Sequence, residues 1–290
     1  MPTSPNTAVA SHESLWTRPV GAASAANIRG QVRSHHALPD ALSVGAASAA
    51  KKGDVPCERF VMTEAPVITV DGPGGAGKGT LCVALARHLG WHLLDSGALY
   101  RLVALAAWQR GVALDDTLTL AEVARDLDVA FTPSEDSDQP QVRLDGHAVG
   151  DALRSDETGQ GASEVAALPA VRDALMDRQR AFRAAPGLIA DGRDMGTVIF
   201  PDAELKIFLT ASPEERAQRR YKQLKDKGLD ANLRDLFESI AARDARDAER
   251  AVAPLEPAED AIILDSTSVD AEGVLAQVLA AARARGLGKS

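Results

Sequence analysis

The chain has 290 residues, 45% of them hydrophobic and 25% charged, with a formal net charge of −9. These are the proportions of a globular domain, and an acidic balance without a long basic stripe argues against a nucleic-acid surface. No uninterrupted apolar stretch approaches the roughly 20 residues of a membrane span. Cys57 and Cys82 cannot build a disulfide framework, so a reducing cytoplasm is the expected compartment.

Residues 1–61 are rich in Ala, Ser, Gly and His, and Gly21-Ala-Ala-Ser-Ala-Ala26 returns as Gly45-Ala-Ala-Ser-Ala-Ala50. So short an echo makes no structural repeat, and weak apolar periodicity predicts a disordered tail. Its acid-poor composition faintly resembles an organellar transit peptide, whereas the continuous apolar core of a signal peptide is missing. The alternative is a start assigned too early, with Met62 as the true beginning of a domain over 62–290.

From Met62 onward, strands and helices alternate in the manner of a three-layer α/β domain. Pro66-Val-Ile-Thr-Val70 has the length and β-branched character of a buried parallel strand. It leads into a loop in which Gly72 and Gly77 bracket four residues and Lys78 follows, the P-loop spacing. Glycines let backbone N–H groups converge on phosphate oxygens, and the next helix adds its N-terminal dipole. Gly72, Pro73, Gly74, Gly75, Ala76, Gly77, Lys78, Gly79 and Thr80 are therefore the candidate triphosphate cradle. A plain glycine-rich turn is the alternative. The strand before the loop argues against it, as do Leu81, Leu85 and Leu89 at helical spacing after it. Gly79 stands where Ser or Thr commonly follows the lysine, which is similar to the Gly-Lys-Gly-Thr form of small monophosphate kinases. Cys82, in the helix just beyond, suits a small buried hydrophobe better than a reactive thiol.

His92-Leu-Leu-Asp95 predicts a second strand, followed by a helix over about Leu99–Arg110. Ser96 and Gly97 at its start, with Arg101 one turn in, can grip a monophosphate. A Ser N-cap with a solvated arginine explains them equally well. Val129-Ala-Phe131 and Gln141-Val-Arg-Leu144 flank an acidic Pro/Ser loop and predict an antiparallel hairpin. It opens an insertion over about 128–185 that continues as helices around Gly159–Leu168 and Ala170–Phe182.

Leu188–Ala190, Leu205–Leu209 and Ala261–Leu264 complete about five parallel strands. Asp191, Arg193 and Asp194 crowd the end of the first of these, the edge at which open α/β sheets bind ligands. Asp191 suits a carboxylate that orients a Mg²⁺-bound water, and Arg193 suits a bridge between phosphates. A charged turn held by internal ion pairs is the plainer alternative. Ser212, Pro213 and Glu215 form a capping box for a helix bearing Arg216, Arg219 and Arg220. That helix suits a lid over about 212–228 that brings positive charge to a transferring group, although a solvated face would explain any one arginine. Arg243, Asp247 and Arg250, spaced by four and three, share one helical face, as an ion-paired surface helix would also have it.

Several of these runs, in this order, resemble bacterial-type cytidylate kinase. They are the glycine loop with Leu93–Arg101, Gly187–Val198, Arg243–Asp247, Arg250–Leu255 and Ile263–Thr267. The likeness covers about Met62 to the C-terminal end. It implies a P-loop core with a short lid and an enlarged monophosphate-binding insertion. The implied activity moves the γ-phosphoryl of ATP to CMP or dCMP with Mg²⁺, giving ADP and the diphosphate. A cytoplasmic monomer is expected, with no nucleic-acid or membrane partner.

By position, the resemblance implies that Ser96, Arg101 and Arg193 contact the acceptor sugar-phosphate. It implies that Ser163, Arg172 and Asp194 read cytosine, whose N4 amino group donates and whose N3 and O2 accept. Arg243 and Asp247 match a ribose-binding pair, and Arg250 matches a neighbouring arginine. Lys78, Arg193, Arg219 and Arg250 form the implied catalytic set, with Arg216 and Arg220 as further ATP contacts. Thr80 and Asp191 are the implied metal ligands, partly through water. Glu157–Gly161 departs from the family pattern in its glycines. The nearest rival is a kinase for another monophosphate or a small hydroxyl-bearing metabolite. A nucleotide-dependent switch is a second, but it lacks an Asn-Lys-x-Asp motif and leaves the arginine groups without a role.

Overall fold

The computed structural model describes residues 64–132 and 141–287. The expected disordered tail over 1–61 and the acidic loop of the hairpin lie outside these residues. Val67–Asp71 (β1) runs into the glycine loop and then Lys78–Leu89 (α1), and His92–Asp95 (β2) leads directly into Ser96–Gln109 (α2). Thr117–Arg125 (α3) precedes Val129–Thr132 (β3), Gln141–Leu144 (β4) and His147–Ala148 (β5), which pair antiparallel. Gly150–Leu153 (α4), Asp156–Val165 (α5) and Pro169–Arg180 (α6) follow. Leu188–Gly192 (β6) then enters a single π-helical turn, Met195–Ile199. The rest comprises Leu205–Thr210 (β7), Pro213–Asp226 (α7), Leu233–Ala248 (α8), Ile262–Asp265 (β8) and Ala271–Ala284 (α9).

Five strands form one parallel sheet in the order β2-β6-β1-β7-β8, as the strand pattern predicts. Side chains alternate along a strand, so the two faces bury different sets. Ile68, Val70 and Ile189 pack with Leu81 and Leu85 of α1 and Val278 of α9. Val67, Leu188 and Ala190 pack on the other side with Leu99, Leu102 and Val103 of α2. Because β1 lies between β6 and β7, the glycine loop emerges beside the end of β6, which carries Asp191.

α2 begins at Ser96, three residues earlier than its apolar spacing suggests. Its N-cap is Asp95, whose carboxylate accepts from Ala98 N at 3.0 Å. The Ser96 hydroxyl is thereby left to donate to Asp191 O at 2.8 Å, which ties α2 to β6. α5 likewise starts early, at Asp156, because the Ser155 side chain accepts from Thr158 N at 3.1 Å. It runs unbroken through both glycines of the departing stretch. A Cβ on Gly161 would lie 2.8 Å from the Trp108 ring, so glycine lets α5 lie close on α2. Of the capping box on α7, one half is present. Ser212 Oγ accepts from Glu215 N at 3.2 Å, while the Glu215 carboxylate turns to Arg219 at 2.9 Å.

Candidate active site

The glycine loop folds as its residue types require. Gly72 has φ 145°, and a Cβ there would lie 2.0 Å from Leu209 O. Gly77, at φ 96°, caps α1 in the left-handed region that side chains disfavour. Lys78 is buried; its Nζ donates to Pro73 O at 2.9 Å and stands 4.0 Å from Asp191 Oδ1. Burial lowers the lysine pKa and raises that of Asp191, so each charge depends on the other. A cleft of about 760 Å³ opens along the loop from Gly75 to Leu81. Thr80 is exposed in it, Arg219 reaches it from α7, and Leu209, Val269 and Leu275 form an apolar wall.

A second, tighter pocket of about 30 Å³ lies on the other side of the β6 end. Ser96, Ser163, Arg172, Arg193, Asp194, Arg243 and Arg250 line it, which is the predicted acceptor set without Arg101 and Asp247. Asp247 lies just behind and is fully buried. It accepts from Ser163 Oγ at 2.8 Å, from Arg193 Nε at 2.5 Å and from Arg250 Nη2, with Arg243 Nε 4.0 Å away. Burial works against its charge, but the guanidiniums of Arg193, Arg250 and Arg243 prevail and hold its carboxyl below the usual range. Arg172 Nη2 pairs with Asp194 Oδ2, both buried, and its guanidinium carbon lies 5.9 Å from the centre of the Tyr100 ring. Burial also pushes the Tyr100 hydroxyl up to about 12.

Positive charge in this pocket exceeds negative. Burial and the neighbouring Arg193 lower the pKa of Arg243, although a guanidinium stays charged at neutral pH. The buried Nε atoms of Arg101, Arg243 and Arg250 have no hydrogen-bond partner among the described residues. Buried donors without acceptors are costly, and an anionic ligand would supply the missing acceptors. Arg101 lines an adjacent cavity of about 510 Å³ with Asp191 and Gly79, so it faces the loop side of the same junction.

The three arginines of α7 divide by partner. Arg216 is buried and donates to Ala211 O, to Gly74 O and to both oxygens of Asp244, pinning α7 and α8 to the glycine loop. Arg219 donates to Ser266 and lines the cleft beside the glycine loop. Arg220 pairs with Asp156 of α5 at 2.7 Å, bridging α7 to the insertion. Arg219 alone of the three lines the cleft. Tyr100, Asp95, Asp244 and Ser266 are site residues that sequence reasoning passed over. Tyr100 and Asp95 stand within the run Leu93–Arg101, and Asp244 sits between Arg243 and Asp247.

Among the described residues no group of three His, Cys, Asp or Glu forms a metal cage. Mg²⁺ bound with phosphates keeps most of its ligands as phosphate oxygens and water, and takes only one or two from protein. The exposed Thr80 hydroxyl and the Asp191 carboxylate match that limited demand. No helix among the described residues is long and apolar enough to cross a membrane.

Comparison with known proteins agrees with this geometry. The profile of the cytidylate kinase family matches residues 68–284. The cytidylate kinase of Aeromonas salmonicida (strain A449) is 62% identical over 216 residues, covering 74% of this chain and 93% of that protein. Those of Pseudomonas paraeruginosa and Nitrosococcus oceani are 60% and 59% identical, covering 74% of this chain and 93% and 95% of theirs. A match of this extent, spanning the glycine loop, the insertion and the arginine pocket alike, places the chain in the cytidylate kinase family.

Proposed function

We propose that the chain transfers the γ-phosphoryl group of ATP to CMP or dCMP, forming ADP and CDP or dCDP, as a cytoplasmic monomer of pyrimidine nucleotide metabolism. One observation carries the reading: the acceptor arginines reach the donor loop. Arg193 Nη2 and Arg243 Nη1 lie 3.4 and 3.6 Å from the position a Cβ would take on Gly74. A pocket of excess positive charge thus abuts a triphosphate cradle, as transfer between two anions requires.

In this reading Lys78 and the loop amides hold the donor phosphates, and Leu209, Val269 and Leu275 offer the apolar wall for its base. Thr80 and Asp191 would hold Mg²⁺, partly through water, and the ion would supply neutralisation of phosphate charge. Arg193, Arg219 and Arg250 surround the transferring group from both sides. Phosphoryl transfer needs positioning and charge stabilisation more than covalent help, so no general base is assigned. Ser96 and Arg101 take the acceptor phosphate with Arg193. Asp194 accepts from the cytosine N4 amino group, while Arg172 and Ser163 donate to N3 and O2. Arg243 and Asp247 lie on the ribose side, where a sugar hydroxyl competes with Ser163 for the buried carboxylate. The acceptor pocket is tighter than a nucleotide, so α5 and α8 part as CMP enters and their closure excludes water.

The test is diphosphate formation from CMP, dCMP, UMP, AMP and GMP with Mg·ATP. Preference for CMP and dCMP is expected, and turnover of another monophosphate without them contradicts the reading.

A further inference from the structure

Asp71, the last residue of β1 and the one before Gly72, is buried, and the site described above gives it no task. Its carboxylate accepts from Met195 N and from Gly196 N, each at 2.8 Å. These are the first amides of the π-helical turn that follows Asp194. The free first amides of an α-helix are commonly capped by the side chain of the residue that precedes it. Asp194 occupies the corresponding position and makes no capping hydrogen bond; its Oδ2 pairs with Arg172.

Asp71 also faces Gly192 in the ladder between β1 and β6. One residue therefore secures the chain on both sides of Arg193 and Asp194: its backbone at Gly192, its side chain at Met195 and Gly196. On its own C-terminal side it begins the glycine loop. We infer that Asp71 is a positioning residue of the transfer reaction, capping the π-helical turn so that Asp194 is free to meet the acceptor base and Arg193 stands beside the donor loop. Burial pushes the Asp71 carboxyl up to about 7 against the two amides that lower it, with Asp194 adding repulsion and Lys78 attraction.

The inference rests on the acceptor reading of Arg172 and Asp194, and a double-mutant cycle separates the two. Asp71→Asn keeps the shape but offers one acceptor oxygen to two amides. Misplacement near 1 Å costs on the order of a hundredfold. kcat/KM for CMP is therefore expected to fall by about tenfold to a hundredfold, and the preference for CMP over UMP to narrow. KM for ATP should stay within about twofold. In an Asp194→Ala background, the same substitution should change the CMP/UMP preference little further, because the group it positions is gone. Loss of preference in Asp194→Ala with none in Asp71→Asn overturns the positioning role and leaves the acceptor reading standing. An equal loss of CMP and ATP use also overturns it. An unchanged preference in Asp194→Ala overturns the acceptor reading and this inference with it. Asp71→Ser, smaller and still an acceptor, is the variant to measure if Asp71→Asn folds poorly. Amide exchange of the unaltered protein gives an independent check: Met195 and Gly196 should exchange as slowly as the core amides of β6, and fast exchange contradicts the cap.

Discussion

Asp71 and Asp247 are both buried carboxylates, yet their pKa values move in opposite directions because their partners differ. Asp247 has burial against it and the guanidiniums of Arg193, Arg250 and Arg243 in its favour, and the ion pairs prevail. Asp71 has two amides and the more distant Lys78 to set against burial and the charge of Asp194, and burial prevails. Asp247 thus contributes stability above 3.8 that is lost as pH falls through its lower folded value. Asp71 does the reverse: its contribution is complete below 3.8 and is lost as pH rises through about 7. Urea unfolding should show Asp247→Asn losing less stability than the unaltered protein between pH 5 and 3. Parallel slopes would remove Asp247 from the acid response. At the same scale, Arg193→Ala should lower kcat by about a hundredfold to a thousandfold, the size of other losses of transition-state charge stabilisation. ATP affinity should hardly change, and unaltered turnover would take Arg193 out of the transition state. Arg172→Met should weaken CMP use by about tenfold to a hundredfold, since it strands Asp194. An equal loss for every monophosphate would deny it a role in reading the base.

At the scale of elements, what was legible in the sequence was local. β1, the glycine loop and α1 are continuous in the chain and carry their own signals, so order, spacing and residue type suffice. The start of α2 was less legible because Asp95 and Ser96 are both good caps, and it takes the hydrogen bonds of Asp95 with Ala98 N and of Ser96 with β6 to show which one serves. The α7 arginines illustrate the limit. Their helix and charge can be read, but their partners are Asp244, Asp156 and Ser266, which belong to other elements. Sequence spacing cannot show that Arg216 is a strut and Arg219 a cleft residue. The glycines of α5 were legible only as a departure; contact with Trp108 supplies the reason for Gly161, whereas Gly159 faces Arg243, whose Nη1 would lie 3.4 Å from a Cβ there. Gly161→Leu should therefore overpack the α2–α5 seam and cost about 1–3 kcal/mol, seen as a lower thermal midpoint. A variant as stable as the parent would show that the seam has room.

For the whole molecule, sheet order does what no single motif does. β1 lies between β6 and β7, so the donor loop and the residues after β6 share one edge, and the insertion and α8 close the acceptor pocket over it. The family profile begins at Ile68 and ends in α9, matching the described fold. A chain beginning at Met62 is accordingly expected to turn over CMP with the kcat of the full chain, and a large loss would give the preceding residues a part in catalysis. Two adjoining nucleotide sites imply direct transfer between two bound nucleotides. Phosphorus NMR of Mg·ATP with CMP tests this most directly. ADP and CDP should appear in equal amounts, with little inorganic phosphate and little ATP consumed when CMP is omitted. ADP and inorganic phosphate forming at the same rate with or without CMP would contradict it.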